Sequence, residues 1–323
     1  TLDRSSAASD VYKRQEPFHV TRILACLLSP LLLGVTLLLF FGAQAHGWNL
    51  ATVFAWMSGG RILLLLLLER CFPAQPEWQM TWASFRRDLK YMAVNGGVAG
   101  LLKVLPAWVA LDMSRWNTGV VVDLPVWVEL LMLVLTYEFF QYWYHRFSHE
   151  GRGRWGAWLW RTHVAHHLPD RVYLLMHPVG HPLNLLISLA LVQWPLVVLG
   201  VRPETVFLFN ALMSLQGLLS HFNVDVRAGW MNYLLVGTEL HRHHHSADMQ
   251  EAQNYGVLTP FWDLVFGTFV YTPGQLPGRL GVADPAHYPD SADLARVLAL
   301  PWQGGDPVES EPRPVQGGMP PPS

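Results

Sequence analysis

The sequence predicts an all-α protein: an integral-membrane bundle of about four transmembrane helices, a helical hairpin, and a histidine-rich metal-binding cap on the cytoplasmic side. Three observations lead there. Hydrophobic residues make up 51% of the 323 and charged residues 14%, with 15 tryptophans and a positive mean hydropathy, a balance far from that of soluble domains. Apolar runs of bilayer length recur along the chain. Twelve of the fifteen histidines fall between His145 and His245, in clusters whose spacing repeats.

The same composition excludes other classes. Net charge is −2 and the basic residues are scattered rather than striped, so nucleic acid is not an expected partner. Cys26 lies in an apolar segment and Cys71 stands alone, which leaves no disulfide framework and no cysteine-ligated cluster. No Gly-x-Gly-x-x-Gly follows a strand, so the chain has no evident nucleotide or flavin domain of its own.

Taken in order, residues 1–15 end Ser9-Asp10-Val11-Tyr12-Lys13-Arg14-Gln15, which resembles a translated sequencing adapter, and they are set apart from the fold. An N-terminal helical region over 16–123 follows. Its first span is Ile23 to Phe41; the Ala43-Gln44-Ala45 behind it resembles a signal-peptidase site, but an apolar run of this length reads as an anchor. A second span covers Leu50 to Leu68 and is interrupted by Arg61, which is costly at mid-membrane unless it pairs in the bundle, snorkels or breaks the span. A third covers Leu89 to Leu111. In that span Gly96, Gly97 and Gly100 form a small-residue patch suited to helix packing.

The fourth span, Leu124 to Tyr144, opens a unit over 124–272 and runs straight into the first histidine pair. Leu183–Leu199 and Val206–Leu219, separated by Gly200-Val201-Arg202-Pro203, read as a tight hairpin ahead of His221. Residues 273–323 are rich in Pro and Gly and partly disordered, with one short helix over Ser291 to Leu300 stopped by Pro301.

Arg70, Arg86, Arg87 and Lys90 between spans two and three, and Arg146, Arg152, Arg154, Arg161 and Arg171 around the first clusters, place those loops on the cytoplasmic side. Four spans before His145 and a returning hairpin before His221 then bring every histidine cluster to one face.

The clusters are His145-x-x-x-His149, His163-x-x-His166-His167 and His241-x-x-His244-His245. Residues three and four apart share a helix face, so His145 pairs with His149, and His163 with His166 and His167. Neutral imidazoles suit iron, zinc, copper or nickel. One tetrahedral ion needs about four ligands, so eight clustered imidazoles predict a site for more than one metal.

With these residues in view, Glu138 to His149 with Tyr142-Trp143-Tyr144-His145-Arg146, the His-x-x-His-His at His163, His221-Phe222-Asn223-Val224, and His241-Arg242-His243-His244-His245 resemble the fatty acid hydroxylase/sterol desaturase superfamily of membrane di-iron enzymes. Asn254-Tyr255-Gly256 and Trp262-Asp263-Leu264-Val265-Phe266-Gly267-Thr268 resemble its closing signature, so the likeness covers roughly 125 to 270. The short gap between His149 and His163 separates the chain from the acyl-lipid and acyl-CoA desaturases.

The resemblance implies metal ligands at His145, His149, His163, His166, His167, His221, His241, His244 and His245, with His181 of His181-Pro182 as a further metal residue. Glu138 stands where many members carry Asp and is expected to take part in the site as a ligand-orienting group. Asp225 occupies the position four after His221 where some hydroxylases have another histidine, and is expected to ligate as a carboxylate or to leave one ion with fewer protein ligands.

The implied activity is O2-dependent hydroxylation or desaturation of a lipid C–H bond, as in a fatty acyl chain or sterol, on two iron ions that zinc can replace during purification. Electrons would come from a separate cytochrome b5- or ferredoxin-type protein, and the setting would be a bacterial inner membrane.

The competing reading is a metal-binding or metal-transporting membrane protein without redox chemistry; a transporter, however, carries its ligands near mid-membrane, and these clusters sit at the ends of spans. His19, His46 and His287 read as isolated surface residues, and His243 as a neighbour of ligands rather than one of them. His177 is set apart from His181 by Pro178 and Gly180. Trp143, Trp155, Trp158 and Trp160 read as interfacial tryptophans.

Overall fold

Ten α-helices order the described residues, 19–104, 117–121 and 123–303, of a computed structural model. They are α1 (His19–His46), α2 (Leu50–Cys71), α3 (Trp82–Val104), α4 (Val126–Glu150), α5 (Gly153–His167), α6 (Pro182–Leu199), α7 (Pro203–Ser220), α8 (Thr238–His244), α9 (Phe261–Phe266) and α10 (Leu294–Ala299). Among the described residues there is no strand, only an isolated bridge between Ser246 and Leu280.

Local chemistry sets the helix ends. Asn49 caps α2 by accepting from the Thr52 amide at 3.0 Å. Pro182 and Pro203 open α6 and α7 at positions where a missing N–H costs nothing. Between these two, Gly200 ends α6 in the left-handed region at φ +68°, and a Cβ there would lie 2.0 Å from Asn117 Oδ1. The expected hairpin therefore forms, with its turn at 200–202.

Three helices have the length and hydropathy to cross a membrane: Ala25–His46 within α1, α2, and α6. Their outward side chains, Leu31, Leu38, Leu63, Leu67 and Trp56, are exposed, which in water would be a costly apolar surface and in a bilayer is none. The chain is a membrane protein. The stretches read as third and fourth spans are helical in α3 and α4 but do not reach that hydropathy; residues 105–111 lie outside the described residues. The reason in α4 is its inward polar row of Glu129, Glu138, Gln141, His145 and His149, all buried.

Arg61 is buried in α2 and donates to Thr36 Oγ1 of α1, to the Ala211 carbonyl of α7 at 3.1 Å and to Met57 Sδ at 3.1 Å. Of the alternatives open from the sequence it takes the first, pairing inside the bundle, with neutral acceptors. At Gly96, Gly97 and Gly100 a Cβ would meet nothing within 4 Å among the described residues.

The membrane-side core gathers Phe40, Met57, Leu133, Tyr137, Phe207 and Phe209 from α1, α2, α4 and α7. A second cluster, with Tyr91, Val164, Tyr173, Met176, Leu280 and Val297, packs beneath the histidine-bearing end. Part of the segment read as tail is ordered: α10, capped by Asp293, forms inside the predicted Ser291–Leu300 stretch, and Tyr91 Oη reaches the Ser291 carbonyl at 2.9 Å. Residues 1–15 and 304–323 lie outside the described residues.

Candidate metal centre

Nine histidines converge at the ends of α4, α5, α7 and α8 in two adjoining groups. His145, His149, His163, His167 and His244 form one; His166, His221, His241 and His245 form the other, and within each group the ligand atoms lie within 4.8 Å of one another. The groups touch: the rings of His167 and His245 stack at 4.5 Å between centroids.

Helical geometry decides which histidine goes where. Positions i and i+4 share a face most closely, so His145 with His149, and His163 with His167, serve the five-membered group. His166, one step round α5, turns to the other group, which corrects the expectation that all three histidines of that cluster act together. The third cluster is reversed: His241 and His245 enter the four-membered group and His244 crosses to the five-membered one.

The Nε2 atoms face inward. His163 Nε2 lies 3.1 Å from that of His145 and 3.0 Å from that of His167. His221 Nε2 lies 3.0, 3.1 and 3.2 Å from those of His166, His241 and His245. Nitrogens bound to one ion at about 2.0–2.1 Å stand roughly 3–3.4 Å apart, so the spacing fits metal ligation. His149 Nε2 and His244 Nε2 are buried without a hydrogen-bond partner, a costly state that a cation relieves.

Four outer nitrogens are held by oxygen acceptors. Nδ1 of His145 meets the Tyr255 carbonyl at 2.8 Å, that of His166 the Val179 carbonyl at 2.8 Å, and that of His244 the Gln253 carbonyl at 2.9 Å. His163 Nδ1 meets Asn184 Oδ1 at 3.1 Å. A carbonyl only accepts, so the proton sits on Nδ1 and the lone pair on Nε2 is free for metal. Burial lowers His145 and His166 to about 4 and takes the other seven well below the usual histidine range, with crowding by neighbouring imidazoles adding to it. All nine are neutral bases at pH 7.

The other expected site residues lie outside the two groups. His181 caps α6, its Nδ1 accepting from the Leu183 amide at 3.0 Å while Nε2 faces the Leu298 carbonyl at 3.1 Å, so both its nitrogens are engaged away from the two groups. Asp225 is half-exposed and pairs with Arg227 at 3.0 Å, outside both groups. Glu138 is fully buried seven residues before His145, and its carboxylate accepts from the amides of Val257, Leu258 and Thr259, holding a loop rather than touching a histidine of either group.

That loop belongs to the closing signature. Asp263 accepts from the amides of Tyr255 and Gly256, each at 2.8 Å, and from Thr268 Oγ1 at 2.7 Å. Asn254 sits in the left-handed region at φ +65°, where Asn is better tolerated than most residues. A Cβ on Gly256 would meet the Thr259 carbonyl oxygen at 2.4 Å. The signature thus aims the carbonyls of Gln253 and Tyr255 at His244 and His145.

Comparison with known proteins decides the family. The family model for fatty acid hydroxylases matches residues 130–268, and an ornithine lipid hydroxylase of Rhizobium tropici is 31% identical over 231 residues, covering 68% of each chain. The chain belongs to the fatty acid hydroxylase family. A fatty acid hydroxylase of a Lecanicillium species is 26% identical over 52% of the chain and 50% of its own length. A methylsterol monooxygenase of Arabidopsis thaliana is 26% identical over 53% and 57%. No solved structure matches the chain. Its family is one of oxidoreductases, and this member is an enzyme with two buried histidine groups suited to metal.

Sequence reading missed the outer partners. His177, set apart by its neighbours Pro178 and Gly180, brings its Nδ1 to 3.2 Å from His221 Nδ1 while part of the residue stays exposed. Asn184 carries no motif at all. Trp160, read as interfacial, packs 5.2 Å from His149 and donates to Tyr288 Oη at 2.7 Å. His243, as expected, is no member of either group; it bonds Thr272 Oγ1 at 2.7 Å.

Proposed function

We propose that this enzyme hydroxylates or desaturates a C–H bond of a membrane lipid, with two iron ions on the two histidine groups, O2 as oxidant and electrons from a separate carrier protein. The observation that carries the reading is the pair of adjoining groups with Nε2 atoms facing inward and the outer nitrogens of His145, His166 and His244 held by backbone carbonyls. The lipid class is supported by the membrane helices and by the ornithine lipid hydroxylase and methylsterol monooxygenase among the relatives. The positive-inside distribution of Arg86, Arg87, Lys90, Arg152, Arg154 and Arg161 supports a cytoplasmic side for the centre.

When bound, redox-active iron supplies the activation of O2 and the attack on an unactivated C–H bond. The chain's part is to hold and shelter. Nine neutral imidazoles leave the charge of the ions largely uncompensated by ligands, and their burial keeps water from the reacting centre. Glu138 and Asp263 fix the loop behind His145 and His244, so these rings are oriented before any ion arrives. Rings locked in this way suit a resident metal better than a transported one.

Anaerobic loading of the metal-stripped, detergent-solubilised protein with Fe(II), followed by iron counting and Mössbauer spectroscopy before and after O2, tests the proposal. About two irons per chain that react with O2 as a coupled pair are expected. Folded protein that refuses iron, or holds it without any response to O2, overturns it.

A further inference from the structure

Among the outer-nitrogen contacts of the two histidine groups, one is of a different kind from the others. His145, His166 and His244 turn their outer nitrogen to a backbone carbonyl and His163 to an amide oxygen, whereas His221 turns Nδ1 to the Nδ1 of another imidazole, His177, at 3.2 Å. His221 Nε2 is the hub of its group, within 3.2 Å of three other Nε2 atoms, so its lone pair belongs there. Its proton must then sit on Nδ1, and two facing nitrogens cannot both donate. His177 Nδ1 is therefore the acceptor, with its own proton on Nε2. The Gly217 carbonyl also faces the His221 ring.

The surroundings are built for this pair. His177 lies against α7 at Gly217, where a Cβ would stand 3.2 Å from its Cε1; glycine leaves the room the ring needs. The short loop that carries His177 is pinned at both ends from the N-terminal helices. Glu69 of α2 accepts from the Leu174 amide at 2.9 Å and, with the same oxygen, from the Asn223 amide at 2.9 Å, tying the chain before His177 to the chain after His221. Asn95 of α3 donates to the carbonyls of Pro178 and Gly180 at 3.0 and 3.1 Å. Between these pins Val179 presents the carbonyl that holds His166. One loop thus orients two of the four ligands, and Asp225, at the position of a possible fifth, faces Arg227 at the surface instead.

We infer that His177 is a positioning residue of the four-histidine group: by accepting from Nδ1 of His221 it fixes the tautomer and the ring plane that direct His221 Nε2 to the metal. The inference rests on the reading of the two groups as metal sites, but not on iron, O2 or turnover.

Zn(II) titration of the metal-stripped full-length protein in detergent, against a chromogenic chelator, tests it. Wild type takes up two ions. His177→Phe, which keeps the volume and loses the acceptor, is expected to bind one ion as wild type does and the other about 10- to 100-fold more weakly, the usual effect of losing a partner behind a ligand. His177→Asn, whose Oδ1 falls near the place of Nδ1, restores the weakened site. Gly217→Ala, whose added methyl would stand nearest the His177 ring, displaces that ring and weakens the same single site. The inference is overturned if His177→Phe binds both ions like wild type, if it loses both together, or if His177→Asn fails to restore the second. Wild type that takes up no pair of ions would instead defeat the metal-centre reading itself.

Discussion

The backbone carbonyl of Tyr255 stands 2.8 Å from Nδ1 of His145, 110 residues away in sequence. A loop outside both histidine groups thereby decides which nitrogen of His145 faces the other imidazoles. Tyr255 is held in turn by Asp263 through its amide, and the loop continues to Glu138 through the three amides that follow Gly256.

Asp263→Ala is accordingly expected to leave the amides of Tyr255 and Gly256 buried and unpaired, at about 1–3 kcal/mol each. Thermal melting of the variant should show the loss, and zinc titration should show the five-histidine group weakened more than the other. Unchanged melting and unchanged affinity would refute the clamp.

His163→Ala and His244→Ala are expected to abolish turnover of a lipid substrate, whereas His287→Ala, exposed and paired with Asp284 at 2.7 Å, keeps it. The neighbouring variants His244→Ala and His245→Ala should weaken different ions, because adjacent residues of this cluster serve different groups. Metal titration of the two proteins decides whether that division is correct.

Asp225→Ala removes a half-exposed ion pair with Arg227, for which a change of about 0–1 kcal/mol in stability is expected. Both metal ions and the activity should be retained. Loss of an ion in this variant would return Asp225 to the ligand set.

His181→Ala removes the cap of α6 and is expected to cost about 1 kcal/mol while leaving the metal content at that of wild type. Urea denaturation gives the first quantity and metal analysis the second. A protein short of one ion would show that His181 ligates after all.

Stripping the metals should lower the melting temperature, since buried Nε2 lone pairs are then left facing one another. Adding Zn(II) at a hundred times its dissociation constant restores about 2.7 kcal/mol per site. A melting temperature indifferent to metal would mean that the two groups are held apart by packing alone.

The helical class, the membrane setting, the hairpin turned at Gly200 and the nine histidines that meet were all legible along the chain, because each is written in spacing or hydropathy over a few residues. A three- or four-residue interval is enough to say that imidazoles share a helix side. It does not say to which of two adjoining groups each one turns; the split of His163 and His167 from His166, and of His244 from His241 and His245, depends on how α5 and α8 are seated against α4 and α7. The outer partners were illegible for a related reason. His177, Asn184, Glu69 and the carbonyl of Tyr255 reach the centre through contacts 21 to 154 residues apart, and a backbone carbonyl has no sequence signature. Asp225 and His181 show the converse: chemistry suited to a metal, placed by the fold where other partners use it, Arg227 for the one and the first turn of α6 for the other. Residue type made these side chains candidates, and packing between distant segments selected which of them a metal ion could meet.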